Sequence, residues 1–294
     1  MLDISTDYDL MIYNIKKSLA GYLTANPTLK SLVVGLSGGI DSALTCILAA
    51  ETLTDIPDVR LIGRSIPIET NTDQETQRGE KVGRLFSDSY ETCDLSAAYR
   101  NLYHELVPQD RAEDDSFNEK IRRGNIKARL RMIYLFDLAH ANSGMVLSTD
   151  NLTELLLGFW TLHGDVGNYG LIQNLWKTEV YGLAAHLEDR YRQSGRTEKA
   201  DALSDCIDAV PTDGLGITSS DFDQLEVTTY QAADRLLTEH LKDPSAYPDH
   251  PVIRRYHATR FKRSDPINIR REEILAPFRE ETSKNQTSPA DTGL

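Results

Sequence analysis

The sequence predicts an α/β fold: an open, mostly parallel, Rossmann-like sheet with helices on both faces, followed by a helical carboxyl-terminal part. Three observations predict it. Short apolar runs are each followed by turn residues, helix-favouring stretches separate these runs, and a glycine-rich turn follows the first run. Strands that alternate with helices form parallel sheets. Ligands in such sheets bind at the carboxyl ends of the strands, so functional residues are sought there.

The elements follow from hydrophobic periodicity and turn residues. Residues 8–24 carry apolar side chains at helical spacing, and Pro27 ends this helix because proline has no backbone N–H to donate. Residues 32–36 form a short apolar run bounded by a turn, which is typical of a buried strand. The next predicted elements are a helix at 41–52, strands at 59–66 and near 89–94, a helix at 117–141 and a strand at 145–149.

One domain, residues 1–271, is expected to account for most of the 294-residue chain, with residues 272–294 as an extension. Residues 108–116 form a polar, acidic loop. Residues 209–224 are rich in Gly, Thr, Ser and Asp without periodicity, and they predict a mobile loop. From Asn285 onward the composition predicts a frayed tail.

Composition argues against several classes of function. The chain has 45 Asp+Glu against 32 Lys+Arg, a net charge of -13, and such an acidic surface repels nucleic acid and anionic lipid at long range. No apolar run approaches the ~20 residues of a membrane-spanning helix, and the acidic amino terminus has no secretory signal pattern. The 3 cysteines form no C-x-x-C pair, which argues against a disulfide framework or a structural zinc site. We expect a cytoplasmic protein that binds neither nucleic acid nor membranes.

The turn at residues 35–42 reads Gly-Leu-Ser-Gly-Gly-Ile-Asp-Ser and lies between a predicted strand and a predicted helix. Its paired glycines let backbone N–H groups converge, the helix amino terminus adds positive potential, and Ser37 and Ser42 add hydroxyl donors. This combination predicts a phosphate cradle, although it lacks G-x-x-x-x-G-K-[ST]. Asp41 fits the cradle when a divalent metal lies between its carboxylate and the phosphates. The alternative is a turn of small residues that only caps a helix.

Two further features point to an anionic nucleotide. Glu154 follows the fourth predicted strand, where its carboxylate can share a crevice with Asp41, and two carboxylates beside triphosphate oxygens suit Mg²⁺. Six bases in residues 119–131 and five in residues 254–263 stand out in an acidic chain. Each run could be a solvated face. Because aromatic residues are not interleaved as in RNA-binding surfaces, a small polyanion such as a dinucleotide is favoured over RNA.

Three segments carry a resemblance to a known family. The segment S-G-G-I-D-S resembles the pyrophosphate loop of the ATP pyrophosphatases. Residues 123–132 resemble the N-x-K-A-R-x-R-M helix of the NAD synthetases, and residues 148–167 are similar to the T-D…E…G-[FY]…G-D…G stretch of that family. The resemblance covers roughly residues 8–266 and implies the adenine nucleotide α-hydrolase-like version of the fold.

The resemblance implies that ATP, as cosubstrate with Mg²⁺, adenylates the carboxylate of nicotinic acid adenine dinucleotide, and that ammonia then displaces AMP to give NAD. It also implies a homodimer. We expect catalytic roles for Asp41, Asp165 and Lys177, and Mg²⁺ ligation by Asp41 and Glu154. Expected substrate contacts are Arg129, Phe159, Phe261 and Lys262. Expected ATP contacts are Gly35, Leu36, Ser37, Gly38, Gly39, Ile40, Asp41, Ser42, Thr149, Lys177 and Thr212.

Four positions depart from the pattern of the family. Leu162 occupies the position where the family usually has lysine, and Phe261 occupies the position where it usually has histidine. Aspartate is expected near Asn168 or Tyr169. Arg64 is one position from the arginine that flanks ATP. Two alternatives stay open: another ligase of the superfamily that acts on a different acceptor, and a nucleotide-binding module without catalysis. About 35 residues precede the glycine turn and no cysteine has an amidase-like setting. Free ammonia is therefore the expected nitrogen donor.

Overall fold

A parallel sheet forms the centre of the protein in the computed structural model, which describes residues 3–69, 71–108, 114–210, 222–264 and 268–275. The strands lie in the order β3-β2-β1-β4-β5, and each neighbouring pair is parallel. The predicted fold class is thereby confirmed. Their bounds are β1 Ser31–Gly35, β2 Arg60–Ser65, β3 Ser89–Thr92, β4 Gly144–Ser148 and β5 Tyr169–Gly170. The two-residue β5 is too short to give the periodicity by which strands are predicted.

Helices connect the strands and continue beyond them. Their starts follow local capping rules: Asp7 accepts a hydrogen bond from the Leu10 N–H at the start of the first helix, and Thr72 forms a capping box with Glu75 at the third. The helices are α1 Tyr8–Ala25, α2 Ile40–Leu53, α3 Asp73–Phe86, α4 Ser96–Leu106, α5 Phe117–Ala141, α6 Leu152–Leu157, α7 Lys177–Gln193, α8 Thr197–Ile207, α9 Phe222–Leu225, α10 Tyr230–Lys242 and α11 Pro251–Ala258, with a 3-10 helix at Arg260–Ser264.

Both faces of the sheet are covered by helices. Leu32 and Val34 of β1 belong to the larger apolar cluster, with residues of α1, α2, α7 and α8. Val33, which lies between them in sequence, packs on the opposite face against Leu135 and Ala139 of α5. This alternation follows from the two-residue period of a strand, and it explains why the strands are apolar throughout.

A smaller apolar cluster holds the helices that follow the sheet. Trp176, Ala233, Leu237, Val252 and Ile253 pack together there, which joins the start of α7 to α10 and α11. These helices form the expected helical carboxyl-terminal part. None of the described helices has the length and apolar character needed to cross a membrane.

The chain divides into two compact units, Met1–Arg263 and Ser264–Leu294. In the second unit the structure describes Ser264 and residues 268–275, the latter containing the short helix α12, Arg271–Ile274. The boundary expected between residues 271 and 272 stays a prediction. Most of the loop expected at 209–224 and the tail expected from Asn285 lie outside the described residues.

Candidate active site

The glycine turn lies at the carboxyl end of β1, as the sequence predicts. Gly38 has a φ of 84°, and a Cβ at this position would lie 2.1 Å from the backbone oxygen of Glu75. Glycine is required there because any other residue would be both strained and too close to α3. The hydroxyls of Ser37 and Ser42 lie 3.1 Å apart and close the turn. Among the described residues no side chain caps the start of α2, so its first amides are available to an anion.

Two carboxylates and an ammonium group meet beside this turn. The Nζ of Lys177 donates to Glu154 Oε1 at 2.9 Å and also to Asp41 Oδ2. Lys177 is 4% exposed. Burial, strengthened by the charges of Asp41 and Asp150, raises the pKa of Glu154 to about 8, against the opposing pull of Lys177. The structure thus brings together three residues that are far apart in sequence.

Asn151 contacts both acidic residues, Asp41 and Glu154, and it is not among the residues predicted from the sequence for this site. Its Oδ1 accepts the Glu154 N–H at 3.0 Å and caps α6, while its Nδ2 donates to Asp41 Oδ1 at 2.9 Å. The local signal was present: an Asn followed three residues later by Glu is typical of a helix start. The contact to Asp41 had no local signal.

A cavity of about 450 Å³ opens from the glycine turn. A volume of this size suits a small-molecule ligand. Among its lining residues are ten that the sequence predicted for the site: Gly35, Leu36, Ser37, Asp41, Ser42, Thr149, Glu154, Phe159, Asp165 and Lys262. Gly38, Gly39 and Ile40 belong to the same turn. Lys177 is not itself in the lining, but its ammonium contacts Asp41 and Glu154, which are. Thr212 lies outside the described residues.

Asp165 lies in the lining on the segment that follows α6. Both of its carboxylate oxygens accept the backbone N–H of Thr161, at 2.9 and 3.0 Å. Burial and the charge of Asp150 raise the pKa of Asp165 to about 7, although Thr161 and Lys262 oppose this shift. A carboxyl with this pKa can exchange a proton near neutral pH.

Cations and aromatic rings form one wall of the cavity. The guanidinium of Arg255 lies 3.9 Å from the ring centroid of Phe159, and its Nε donates to the Leu157 oxygen at 2.8 Å. Lys262 lies 5.6 Å from the Trp160 ring centroid and donates to the backbone oxygens of Gly158 and Trp160. In the sequence Arg255 stands out only as part of a basic run, because stacking on a residue 96 positions earlier leaves no local pattern.

Arg129 and Arg131, two residues apart on α5, make different contacts. Arg131 lines the cavity and donates to the Ile66 oxygen at 3.0 Å and to Asn71 Oδ1 at 2.8 Å. Burial lowers the pKa of Arg131 to about 10. Arg129, one of the predicted substrate contacts, donates to the Leu162 oxygen at 2.9 Å and is not part of the described lining. Phe261, also a predicted contact, is 54% exposed and lies outside the lining.

An open parallel sheet with an uncapped helix start, paired carboxylates and a cavity at the strand ends defines the class: a nucleotide-binding α/β enzyme. A family model described as NAD synthase matches residues 11–266. The chain therefore belongs to the NAD synthase family, and it is a ligase that forms a C–N bond. The resemblance stated from the motifs is confirmed.

Curated relatives agree with this assignment. The NH(3)-dependent NAD(+) synthetase of Thermoplasma acidophilum is 30% identical over 82% of this chain and 91% of its own length. The enzyme of the same name from Chlorobium phaeobacteroides is 33% identical over 68% of each chain.

Solved structures agree as well. The NAD+ synthetase of Burkholderia pseudomallei matches with a TM-score of 0.64 and 26% identity, covering 90% of this chain and 94% of that one. The NMN synthetase of Francisella tularensis shares the fold, with a TM-score of 0.71 and 24% identity over 91% of this chain and 99% of that one.

Proposed function

We propose that this chain makes NAD from nicotinic acid adenine dinucleotide, ATP and ammonia. The substrate carboxylate attacks the α-phosphorus of ATP, the bond to the β-phosphate breaks, and pyrophosphate leaves. Ammonia then attacks the acyl carbon of the adenylate, AMP departs with the oxygen, and the nitrogen loses a proton. The observation that carries the proposal is the convergence of Asp41, Glu154 and Lys177 beside the glycine turn.

ATP is needed to activate the substrate carboxylate for attack by ammonia. A carboxylate is a poor acyl donor because oxide is a poor leaving group, whereas AMP leaves readily. Negative charge builds on the departing pyrophosphate during the first step. The free amides at the start of α2, the hydroxyls of Ser37 and Ser42, and the Lys177 ammonium are the groups of this chain that can stabilise that charge.

The residues present fit Mg²⁺. The carboxylates of Asp41 and Glu154 both contact the Lys177 ammonium, so they lie close enough together to share one cation. The raised pKa of Glu154 reflects burial together with the nearby negative charges of Asp41 and Asp150, which a divalent cation would offset. When bound, Mg²⁺ would supply charge neutralisation and orientation for the triphosphate. Asp41 and Glu154 would hold it.

Asp165 is proposed to act in the second step. Ammonia must be held near the acyl carbon, and the nitrogen must lose a proton after attack. A carboxyl whose pKa is about 7 can bind ammonium in its ionised form and can accept a proton near neutral pH. The position of Asp165 in the cavity lining supports this role.

The cationic wall is proposed to hold the acid substrate. Phe159 lines the cavity, where the ring face not covered by Arg255 can pack against the pyridine ring. Lys262, beside Trp160 in the same lining, carries a positive charge suited to a carboxylate or phosphate. Arg64, one position from the arginine of the family, also lines the cavity. We propose that its guanidinium takes part in nucleotide binding.

We propose a homodimer in which the second copy covers the exposed part of α5. Ile133 is 65% exposed and Phe136 is 39% exposed on this long helix. Apolar side chains of this size favour burial in an interface. Arg129 and Phe261 lie outside the cavity lining. We propose that they contact the part of the dinucleotide that lies at the interface between the two copies.

Free ammonia is the proposed nitrogen donor. Glutamine-using enzymes need a reactive nucleophile to release ammonia, but burial raises the pKa of both Cys46 and Cys206 to about 12. The curated relatives carry the name NH(3)-dependent. Cys46, Cys93 and Cys206 are all free thiols, which suits a reducing cytoplasmic compartment.

The purified protein should convert ATP, Mg²⁺, ammonium and nicotinic acid adenine dinucleotide into equal amounts of NAD, AMP and pyrophosphate. Nicotinic acid mononucleotide, assayed in parallel, tests whether the adenylyl half of the substrate is needed. Release of ADP would contradict cleavage between the α- and β-phosphates. Absence of turnover at saturating ammonium would favour the nucleotide-binding module, and turnover with glutamine alone would contradict the proposed donor.

A further inference from the structure

Asp234 lies on α10, behind the cluster formed by Asp41, Glu154 and Lys177, and its side chain is completely buried. One carboxylate oxygen accepts the Thr153 hydroxyl at 2.5 Å. The other accepts the Thr178 N–H at 2.8 Å and the Thr178 hydroxyl at 2.7 Å. Asp234 is not among the described residues that line the cavity, so it does not contact a ligand there.

The two threonines adjoin the two functional side chains in sequence. Thr153 precedes Glu154 in the first turn of α6, and Thr178 follows Lys177 in the first turn of α7. The Thr153 hydroxyl also accepts the Lys177 N–H at 2.9 Å. One carboxylate therefore connects the starts of both helices, whose side chains meet where Lys177 Nζ lies 2.9 Å from Glu154 Oε1.

Packing does not explain why this position carries a carboxylate. The apolar cluster of Ala233, Leu237 and Trp176 already joins α10 to the start of α7. Burying an ionised group is costly, and apolar replacements of buried charged groups are often neutral or stabilising. The benefit of the charge is local: first-turn amides have no partner within their own helix, and a helix amino terminus favours negative charge.

We propose that Asp234 is a positioning residue for ATP cleavage, which fixes Glu154 and Lys177 at the separation that the triphosphate and its metal require. This inference rests on the proposed function. Through Thr153 and Thr178, Asp234 sets the register of α6 against α7. A shift of either first turn would move one of the two charged groups relative to the other, although neither group itself contacts Asp234.

Asp234→Asn tests the inference with little change in shape. An amide cannot accept all three hydrogen bonds, because one of its two polar atoms is a donor. We expect at least a tenfold weaker affinity for ATP with Mg²⁺ by calorimetry and at least a tenfold slower release of pyrophosphate. The affinity for AMP, which lacks the β- and γ-phosphates, and the KM for ammonia should change less than threefold.

A second pair of variants covers the case in which Asp234→Asn does not fold. Thr153→Val keeps the shape of Thr153 but removes the hydroxyl, whereas Thr153→Ser keeps the hydroxyl. Valine should reproduce the loss of affinity for ATP with Mg²⁺, and serine should restore at least half of the binding free energy lost. A serine variant as weak as the valine variant would contradict the inference.

Thr238→Val is the matched control. Thr238 lies one helical turn beyond Asp234 on α10, and its buried hydroxyl has no hydrogen-bond partner among the residues that the structure describes. Its removal should leave ATP affinity and the melting temperature unchanged. The inference is overturned if Asp234→Asn keeps wild-type ATP affinity, or if it loses AMP affinity and melting temperature in parallel, as a purely structural role predicts. If the wild type releases no pyrophosphate, the proposed function is wrong, and the calorimetric comparison with ATP and Mg²⁺ still decides the role of Asp234.

Discussion

Replacing Asn151 tests two contributions of its side chain: one to the stability of α6 and one to the position of Asp41. Asn151→Ala removes the cap of α6, which is worth about 1 kcal/mol of stability, and it also removes the donor to Asp41. A hydrogen bond to a charged group contributes about 1.5–3 kcal/mol. At 1.4 kcal/mol for each factor of ten, loss of this contact should reduce kcat/KM for ATP by ~10- to ~100-fold.

Asn151→Asp isolates the second contribution. Aspartate also caps helices, so the Glu154 N–H keeps its acceptor. The donor to Asp41 is lost, and a third carboxylate enters the cluster of Asp41 and Glu154. We expect this variant to lose kcat/KM for ATP by at least as much as Asn151→Ala while retaining the cap. Pyrophosphate release at saturating Mg²⁺ measures the kinetic effect, and urea unfolding measures stability.

Asp7→Ala is the control for capping. Asp7 caps α1 through the Leu10 N–H at 3.1 Å, and it is not part of the described cavity lining. This variant should lower the free energy of unfolding without changing kcat/KM. An Asn151→Asp enzyme with kcat/KM for ATP within threefold of the wild type would refute the argument that Asn151 positions Asp41.

Three further predictions follow from the site. Because burial raises the pKa of Asp165 to about 7, its ionised fraction falls from about nine-tenths at pH 8 to about one-tenth at pH 6. NAD formation per unit of free NH3 should decrease about tenfold over this range, and a flat profile in the wild type would contradict the role of Asp165. Asp165→Asn should slow NAD formation much more than pyrophosphate release, measured in the same reaction, and should abolish that pH dependence; equal losses in both steps would contradict its assignment to amidation. Gly38→Ala should lower both the urea midpoint and ATP affinity, because its Cβ would meet the Glu75 backbone oxygen at 2.1 Å. Gly195→Ala controls for the backbone strain alone, because Gly195 has a φ of 73° but a Cβ there would have no atom within 4 Å.

Several features could be predicted from the sequence because their causes are local. The helix predicted at 117–141 has the bounds observed for α5, since apolar spacing and the Ser116 cap act within a few residues. The glycine turn was predictable for the same reason: Gly38 must adopt a positive φ there, and Asp41 follows in the first helical turn.

Other residues of the site could not be predicted because their partners are distant in sequence. Asn151 donates to a residue 110 positions away, and Asp234 accepts from a threonine 81 positions away. The local helix-start pattern of Asn151 gives no indication of its contact to Asp41, and Asp234 belongs to none of the motifs found in the sequence. Arg129 and Arg131 look equivalent in the basic run, yet only Arg131 lines the cavity, because residues two apart on a helix face different directions.

The sequence by itself determined the strand and helix pattern, the glycine turn and the family, because hydrophobic period, glycine conformation and short motifs are properties of neighbouring residues. Only the tertiary structure decided which charges meet. The ammonium of Lys177 lies between Asp41 and Glu154 because parallel strands bring α2, α6 and α7 to one edge of the sheet. That proximity depends on how β1 and β4 pair and on how α10 packs behind α7, and no local pattern encodes it.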